Sequence, residues 1–349
     1  MTNKVSLAYL VKIGVALAIA GLLVATCRRA TVGDLYTTAP ARLHQAPDES
    51  SEVIQHLPPG TALFDAGEVS SCLVGIYLKD SLRWEPWLRV RTADGATGWV
   101  FGGAAYPSAL GPEDAWRWRC QKRLQALIGV SNARRLLEWA QATPRTDTAL
   151  AHHLRIGLIL CDTLQRALRY GIRRAGAADE PDLRWLNAYL RYFRRYRGGI
   201  ALDYARLTQV ARQTAGAQDD VFAHLGCEVF PLDSMASPLP AWVFPLSWVE
   251  SASNLGAGHH LLALQRVEQA LQRAPLFRPE TERLKQLLLD DILNSERTYW
   301  QPLPRLLAEL DSILAEPFHC LSEQERAALL VRRAMLERGL VRTDLRSGR

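Results

Sequence analysis

Lysine is scarce in this 349-residue chain: five of its 42 basic residues are Lys and the other 37 are Arg. The formal net charge is only +6, too mild to mark a nucleic-acid binder, whose domains concentrate basic residues on one face. The arginine excess reads first as compositional bias and only second as phosphate chemistry. Catalytic and ligand motifs are also missing. The chain has no Gly-x-Ser-x-Gly, no Walker loop and no dinucleotide fingerprint, so no cofactor is expected. It has no His-x-x-x-His and no Cys-x-x-Cys spacing. The adjacent pairs His152-His153 and His259-His260 point to different helix faces, so no metal site is expected either. What is present is ordinary for a folded chain: 48% apolar and 22% charged residues, Gly 23 and Pro 18. That excludes collagen-like and wholly disordered classes, and the length suggests two domains.

The first segment, residues 1–27, reads as a targeting element. Lys4 and Lys12 form a basic region, and Ile13 to Ala25 is an apolar run of 13 residues. A signal-peptide core spans about 7–15 residues and a membrane span about 20. Extending the run back to Val5 would place Lys12 inside the bilayer at a cost of roughly 2.5–3.5 kcal/mol. The ending Leu23-Val24-Ala25-Thr26-Cys27 resembles the lipobox of bacterial lipoproteins. The resemblance implies acylation of Cys27, a membrane anchor, and a folded part outside the cytoplasm. Arg28 after the Cys implies the outer rather than the inner membrane. Thr26 in place of the usual Gly or Ala, and the pair Arg28-Arg29, keep an uncleaved anchor open as the alternative.

Residues 31–110 change character. Pro47, Pro58-Pro59-Gly60, Asp94-Gly95 and Gly102-Gly103 punctuate short β-type runs at 53–57, 61–64, 73–78, 87–91 and 98–101. Trp87-Leu88-Arg89-Val90-Arg91 alternates with period two, and Asp94-Gly95 is a hairpin signal. Five short strands in about 70 residues suggest a small barrel. The stretches RLHQAPDESSEVIQHLPPGTALF and WLRVRTADGATGWVFGGAAY are similar to bacterial SH3-like domains. Arg42, Pro47, Ser51, Val53, Leu57, Gly60 and Thr61 fill the opening pattern. Trp87, Val90, Gly95, Gly98, Trp99 and Val100 fill the closing one. The middle, residues 68–85, is longer than in that family. The resemblance implies a non-catalytic module that binds peptidoglycan or another envelope protein. Tyr77, Trp84 and Trp87 are the candidate ligand residues, because aromatic side chains give large contact area at low entropy cost.

From Gly111 the period becomes 3.6. Leu150, Leu154, Leu158, Cys161 and Leu168 recur at helical spacing. Further helices are expected at about 114–128, 131–142, 181–197, 202–214, 259–274, 279–297, 303–315 and 322–338. The last opens on Ser322 with Glu325 three residues on, a capping box, and closes before Gly339. The fold class expected is therefore multidomain β + α: an SH3-like β-barrel followed by an all-α domain over 111–349. A Pro/Gly-rich break at 226–258 interrupts that domain. Residues 30–110 carry five basic and nine acidic side chains, whereas 111–349 carry 33 basic and 27 acidic. An acidic module thus precedes a basic one, a difference that favours docking and lets the basic part face anionic lipid.

Six cysteines are present. With Cys27 acylated, five remain in an oxidising compartment, enough for two disulfides and one thiol. Cys72–Cys120 and Cys227–Cys320 are the expected pairs, with Cys161 buried on its apolar stripe. Val249-Glu250-Ser251 faintly resembles the catalytic stretch of lysozyme-like lytic transglycosylases, in which a carboxyl in an apolar pocket acts as general acid. The function expected is non-catalytic binding or scaffolding at the cell wall and membrane. The alternative is a peptidoglycan hydrolase using Glu250.

Overall fold

The computed structural model describes residues 33–78, 80–173, 182–193, 199–231, 239–246, 251–294 and 298–340. The chain divides into two units. One comprises residues up to 133 together with 167–182, and the other comprises 134–166 together with 183 onward.

The first unit holds β1 (Leu35–Thr37), β2 (Ala41–His44), β3 (Val53–Leu57), β4 (Ala62–Val69), β5 (Leu73–Leu78), β6 (Ser81–Glu85), β7 (Trp87–Thr92), β8 (Thr97–Phe101) and β9 (Ala105–Pro107). Seven of them form an antiparallel sheet in the order β3-β2-β8-β7-β4-β1-β9. Period-two alternation drives its packing: Leu88 and Val90 point inward while Arg89 and Arg91 face outward. Leu35, Leu43, Leu57, Leu63, Val100 and Ala105 complete that core.

The closed barrel suggested by the strand spacing is not what forms. The sheet is open, ending at β3 and β9. The long middle segment accounts for the difference. β4 and β7 lose register between Asp65 and Val69, where Gly67 turns at φ 82. β5 and β6 then pair with each other rather than extending the main sheet. With β10 (Ile172–Arg173) running parallel to β5, they make a second, three-stranded sheet.

Helix α1 (Pro112–Gln141) opens with Pro112 followed by Glu113 and Asp114, as the free N–H groups and positive dipole of a helix start favour. Gly129, at φ 79 and ψ 161, interrupts it, so the expected division near residues 129–130 is real. Within the first unit Lys122 pairs with Asp65 at 2.7 Å. Arg123 meets buried Glu85 through two hydrogen bonds of 2.9 and 2.5 Å, the bidentate geometry that a guanidinium offers a carboxylate.

The second unit is mostly helical. After the end of α1 come α2 (Asp147–Tyr170), which crosses from this unit into the first, then α3 (Tyr204–Ala211), α4 (Gln218–Val229), α5 (His259–Arg273), α6 (Arg278–Leu293), α7 (Leu303–Ala315) and α8 (Glu323–Glu337). Helices α3 to α6 pack each on the next, and α8 packs on α6 and α7.

Three expectations are corrected here. The helical part is not all-α, because it contains the antiparallel pairs β11 (Arg191–Phe193) with β12 (Gly199–Ala201) and β13 (Val243–Pro245) with β14 (Ser251–Ser253). The helix expected at 181–197 is a 3-10 turn at Arg184–Ala188 followed by β11. Leu183, Leu186, Leu190 and Phe193, spaced three and four apart as one helix face would be, are nonetheless all buried. Third, Gly226 does not begin the break: α4 runs through it to Val229.

The capping box at α8 is complete. Glu325 N donates to Ser322 Oγ at 3.2 Å, and Ser322 N donates to Glu325 Oε2 at 2.8 Å. Ser322→Ala is expected to lower stability by about 1 kcal/mol, read by urea unfolding. A change below about 0.3 kcal/mol would show that this cap is dispensable.

Candidate functional site

The residues singled out from sequence scatter. Cys27 and Glu250 lie outside the described residues. Tyr77 is 59% exposed on β5. Trp84 stands opposite Gly75 in the β5–β6 register, two pairs along from Tyr77–Leu82, so Tyr77 and Trp84 share a face of that hairpin. Yet Trp84 is only 9% exposed. Its ring covers Gly75, where a Cβ would come within 2.9 Å of the indole. Trp87 belongs to the main sheet and is 2% exposed, edge-on to His44 at 5.1 Å and to Phe101 at 6.0 Å.

Cys120, Cys161, Cys227 and Cys320 stand as free thiols, so neither the Cys72–Cys120 nor the Cys227–Cys320 bond is formed. Each thiol has its own environment. Cys227 Sγ is 3.2 Å from Thr208 Oγ1. Burial and a hydrogen bond to Glu268 push the Cys320 thiol up to about 12. Burial raises Cys120 to about 11 and Cys161 to about 12. Protonated thiols are poor nucleophiles and poor metal ligands.

Two clusters of buried polar groups brace the second unit. His260, on the first turn of α5, meets Asp291 of α6 through Nε2 at 3.0 Å, under the ring of Trp242 at 6.2 Å. Glu309 of α7 accepts from the backbone N–H groups of Gly256, Gly258, His260 and Leu261 at 2.5 to 3.0 Å. In the second cluster Arg332 of α8 donates to the carbonyls of Ile292 and Asn294, at 2.9 and 2.7 Å, and to Tyr299 Oη. It thereby satisfies carbonyls at the C-terminal end of α6, where a cation is favoured. Among the described residues no group of three or more His, Cys, Asp or Glu is placed to hold a metal, and no helix is long and apolar enough to cross a membrane.

A concave site of different character lies within the second unit, assembled from the end of α1, α2, the segment 187–191 and α3. It encloses about 90 Å³. Its wall is Trp139, stacked on His153 at 4.7 Å with the rings 13° from parallel. Trp139 Nε1 donates to the His153 carbonyl at 2.8 Å. The glycine at 157 makes this seat possible, because a Cβ there would fall 2.9 Å from both the Trp139 ring and Leu202. Leu154, Leu190, Leu202, Leu207 and Val210 supply apolar lining.

The mouth carries the charges. Asp203 is occupied twice: Oδ1 accepts from Arg206 N at 3.1 Å as the N-cap of α3, and Oδ2 pairs with Arg191 at 3.3 Å. Arg206 also lines the pocket, and its charge is felt at the His153 ring. Burial first, then the nearby charges of Arg206 and His152, lower the His153 imidazole below its ordinary range, so His153 is a neutral ring at pH 7. An apolar interior with a few convergent polar groups is the composition of a small-ligand site, although at about 90 Å³ this one is smaller than the usual few hundred Å³. The sequence reading missed it because its parts come from four separated segments. The only local hint was Asp203 ahead of a helical stretch, a cap signal.

No family model, curated protein or solved structure matches this chain.

Proposed function

We propose that this chain is a non-catalytic binding or scaffolding protein of the bacterial cell envelope. It is tethered to a membrane through residues 1–27, by acylation of Cys27 and at the outer rather than the inner membrane. Residues 31–110 act as an SH3-like module whose long middle opens the barrel, and its partner is peptidoglycan or another envelope protein. The observation that carries the binding reading is the pocket beside Trp139. It is lined by apolar side chains, and its carboxylate, Asp203, is committed to a helix cap and an ion pair rather than poised for proton transfer. The buried carboxylate Glu309 is likewise committed to backbone N–H groups. The envelope reading rests on the apolar run ending in Cys27 and on the pattern of residues 42–100.

The test is fractionation of cells expressing the full chain, followed by sedimentation of the purified protein with peptidoglycan sacculi. Wild type is expected in the membrane fraction and Cys27→Ser in the soluble fraction. Wild type is expected to pellet with sacculi without clearing them. Clearing that Glu250→Gln abolishes would replace this reading with the hydrolase. A wholly cytoplasmic wild type would overturn the envelope assignment.

A further inference from the structure

We infer that the pocket bordered by Trp139 and Arg206 binds a small organic anion with an aromatic or branched apolar body. The body lies against the Trp139 ring and the leucine lining, and the anionic group lies on the Arg206 guanidinium. This deepens the binding reading above and rests on it.

The charges at the mouth set the sign of the ligand. Among the described residues, three ionised side chains border the pocket: Arg191, Asp203 and Arg206. Arg191 and Asp203 neutralise each other at 3.3 Å. Arg206 makes no side-chain hydrogen bond or ion pair among the described residues, and only its backbone N–H is engaged. The mouth therefore carries one uncompensated positive charge. A cationic ligand would meet it with no carboxylate to spare. A purely apolar ligand would leave the guanidinium to water, losing nothing but gaining no orientation.

The interior selects the rest of the ligand. Leu154, Leu190, Leu202, Leu207 and Val210 make most of the lining apolar, with Asn187 and Tyr189 among the few neutral polar side chains, so a sugar or other polyhydroxylated molecule would lose more hydrogen bonds to water than it regains. A flat or branched hydrocarbon body loses nothing there. The stacked Trp139–His153 pair presents a ring surface suited to an aromatic face. Because His153 is kept neutral by burial and by Arg206 itself, the anion is drawn to the guanidinium rather than to the imidazole. Arginine is the side chain suited to this task, since its planar fork meets a carboxylate, sulfonate or phosphate with two donors.

The experiment uses two dyes with the same aromatic body, titrated by fluorescence into the full-length protein. One is the anion 1-anilinonaphthalene-8-sulfonate and the other is neutral N-phenyl-1-naphthylamine; at about 90 Å³ the pocket takes only part of either body, and the rest lies across its mouth. The expected result is saturable one-to-one binding with the anion about tenfold tighter, the scale of one charge-assisted hydrogen bond at a partly exposed site. Arg206→Gln, an exposed position, is expected to bring the two dyes within about threefold of each other. Ala142→Trp at the rim is expected to remove both while circular dichroism stays unchanged. Equal affinities in wild type, with both dyes lost in Ala142→Trp, would overturn the anion inference and leave the pocket as a binding site. Dye binding unaffected by Ala142→Trp, or no saturable binding of either dye, would overturn the pocket itself.

Discussion

Glu309→Ala is expected to destabilise the second unit by about 3–5 kcal/mol, the cost of leaving buried N–H donors without their acceptor beside a new cavity. Helix α5 begins without a side-chain cap of its own. Its N-cap is Gly258, in the left-handed region at φ 85, which has no oxygen to offer. The first-turn N–H groups of a helix need acceptors all the same. Glu309, 48 to 53 residues away in sequence, supplies one carboxylate that accepts from His260 and Leu261 in that turn and from Gly256 and Gly258 just before it. The negative charge also lies at the positive end of the α5 dipole.

Because Glu309 is only 6% exposed, water cannot readily take its place when the side chain is shortened. Four donors would then be left short of an acceptor beside a new cavity. Gln keeps one oxygen but brings an NH2 group to face the same donors, so Glu309→Gln is expected to cost roughly 2 kcal/mol. Urea unfolding of the full chain, followed by circular dichroism, gives the order Ala, Gln, wild type in rising stability. An alanine variant within 1 kcal/mol of wild type would show that the four N–H groups find other acceptors.

Ser322 and Glu325 act within one turn, so the start of α8 was legible to the residue. Gly129 divides α1 because its backbone leaves helical angles, and the expected helices stopped and restarted there. Alternation in 87–91 and the Asp94-Gly95 turn placed β7 and β8 correctly. What failed was whatever depends on a distant partner. The stripe Leu183, Leu186, Leu190, Phe193 has helical spacing, and all four residues are buried. But Arg191–Phe193 finds Gly199–Ala201 to pair with, and the tertiary setting overrides the period. Barrel closure failed for the same reason, because β5 gains a parallel neighbour, β10, from about 100 residues later. The pocket was invisible because Trp139, His153, Leu190 and Arg206 converge only after folding. The aromatics chosen instead, Trp84 and Trp87, have the composition of a binding groove, but in the structure they cover Gly75 and pack beside His44 and Phe101.

Gly226→Ala is expected to destabilise the protein by about 3 kcal/mol, against the direction that helix propensity alone would give. Gly226 lies inside α4, where alanine is normally favoured by about 1 kcal/mol. Here the space a Cβ would need is taken by Tyr204 of α3: an ideal Cβ would fall 2.0 Å from Cδ1 and 2.3 Å from Cε1 of that ring. Carbon atoms rest about 3.5–4.0 Å apart. The tyrosine cannot readily swing clear. It is buried, stacked on Phe230 at 5.5 Å with the planes 8° apart, and tilted against Phe222 at 6.4 Å. Phe222 is itself stacked on Phe277 at 5.0 Å.

The clash must therefore be relieved by moving α3 away from α4, which forfeits ring packing across the whole cluster. Overpacking of this kind costs about 1–3 kcal/mol and occasionally more, and the 2.0 Å approach places it at the upper end. A double-mutant cycle separates steric conflict from any general intolerance at 226. Tyr204→Ala alone is expected to cost about 3–5 kcal/mol through its cavity. In that background Gly226→Ala should cost nothing or stabilise, because the obstructing ring is gone and only the helix preference remains. If Gly226→Ala lowers stability equally with and without Tyr204, the glycine is required for a reason other than this contact. If it leaves the wild-type background within 0.5 kcal/mol, α3 and α4 can separate more freely than their packing implies.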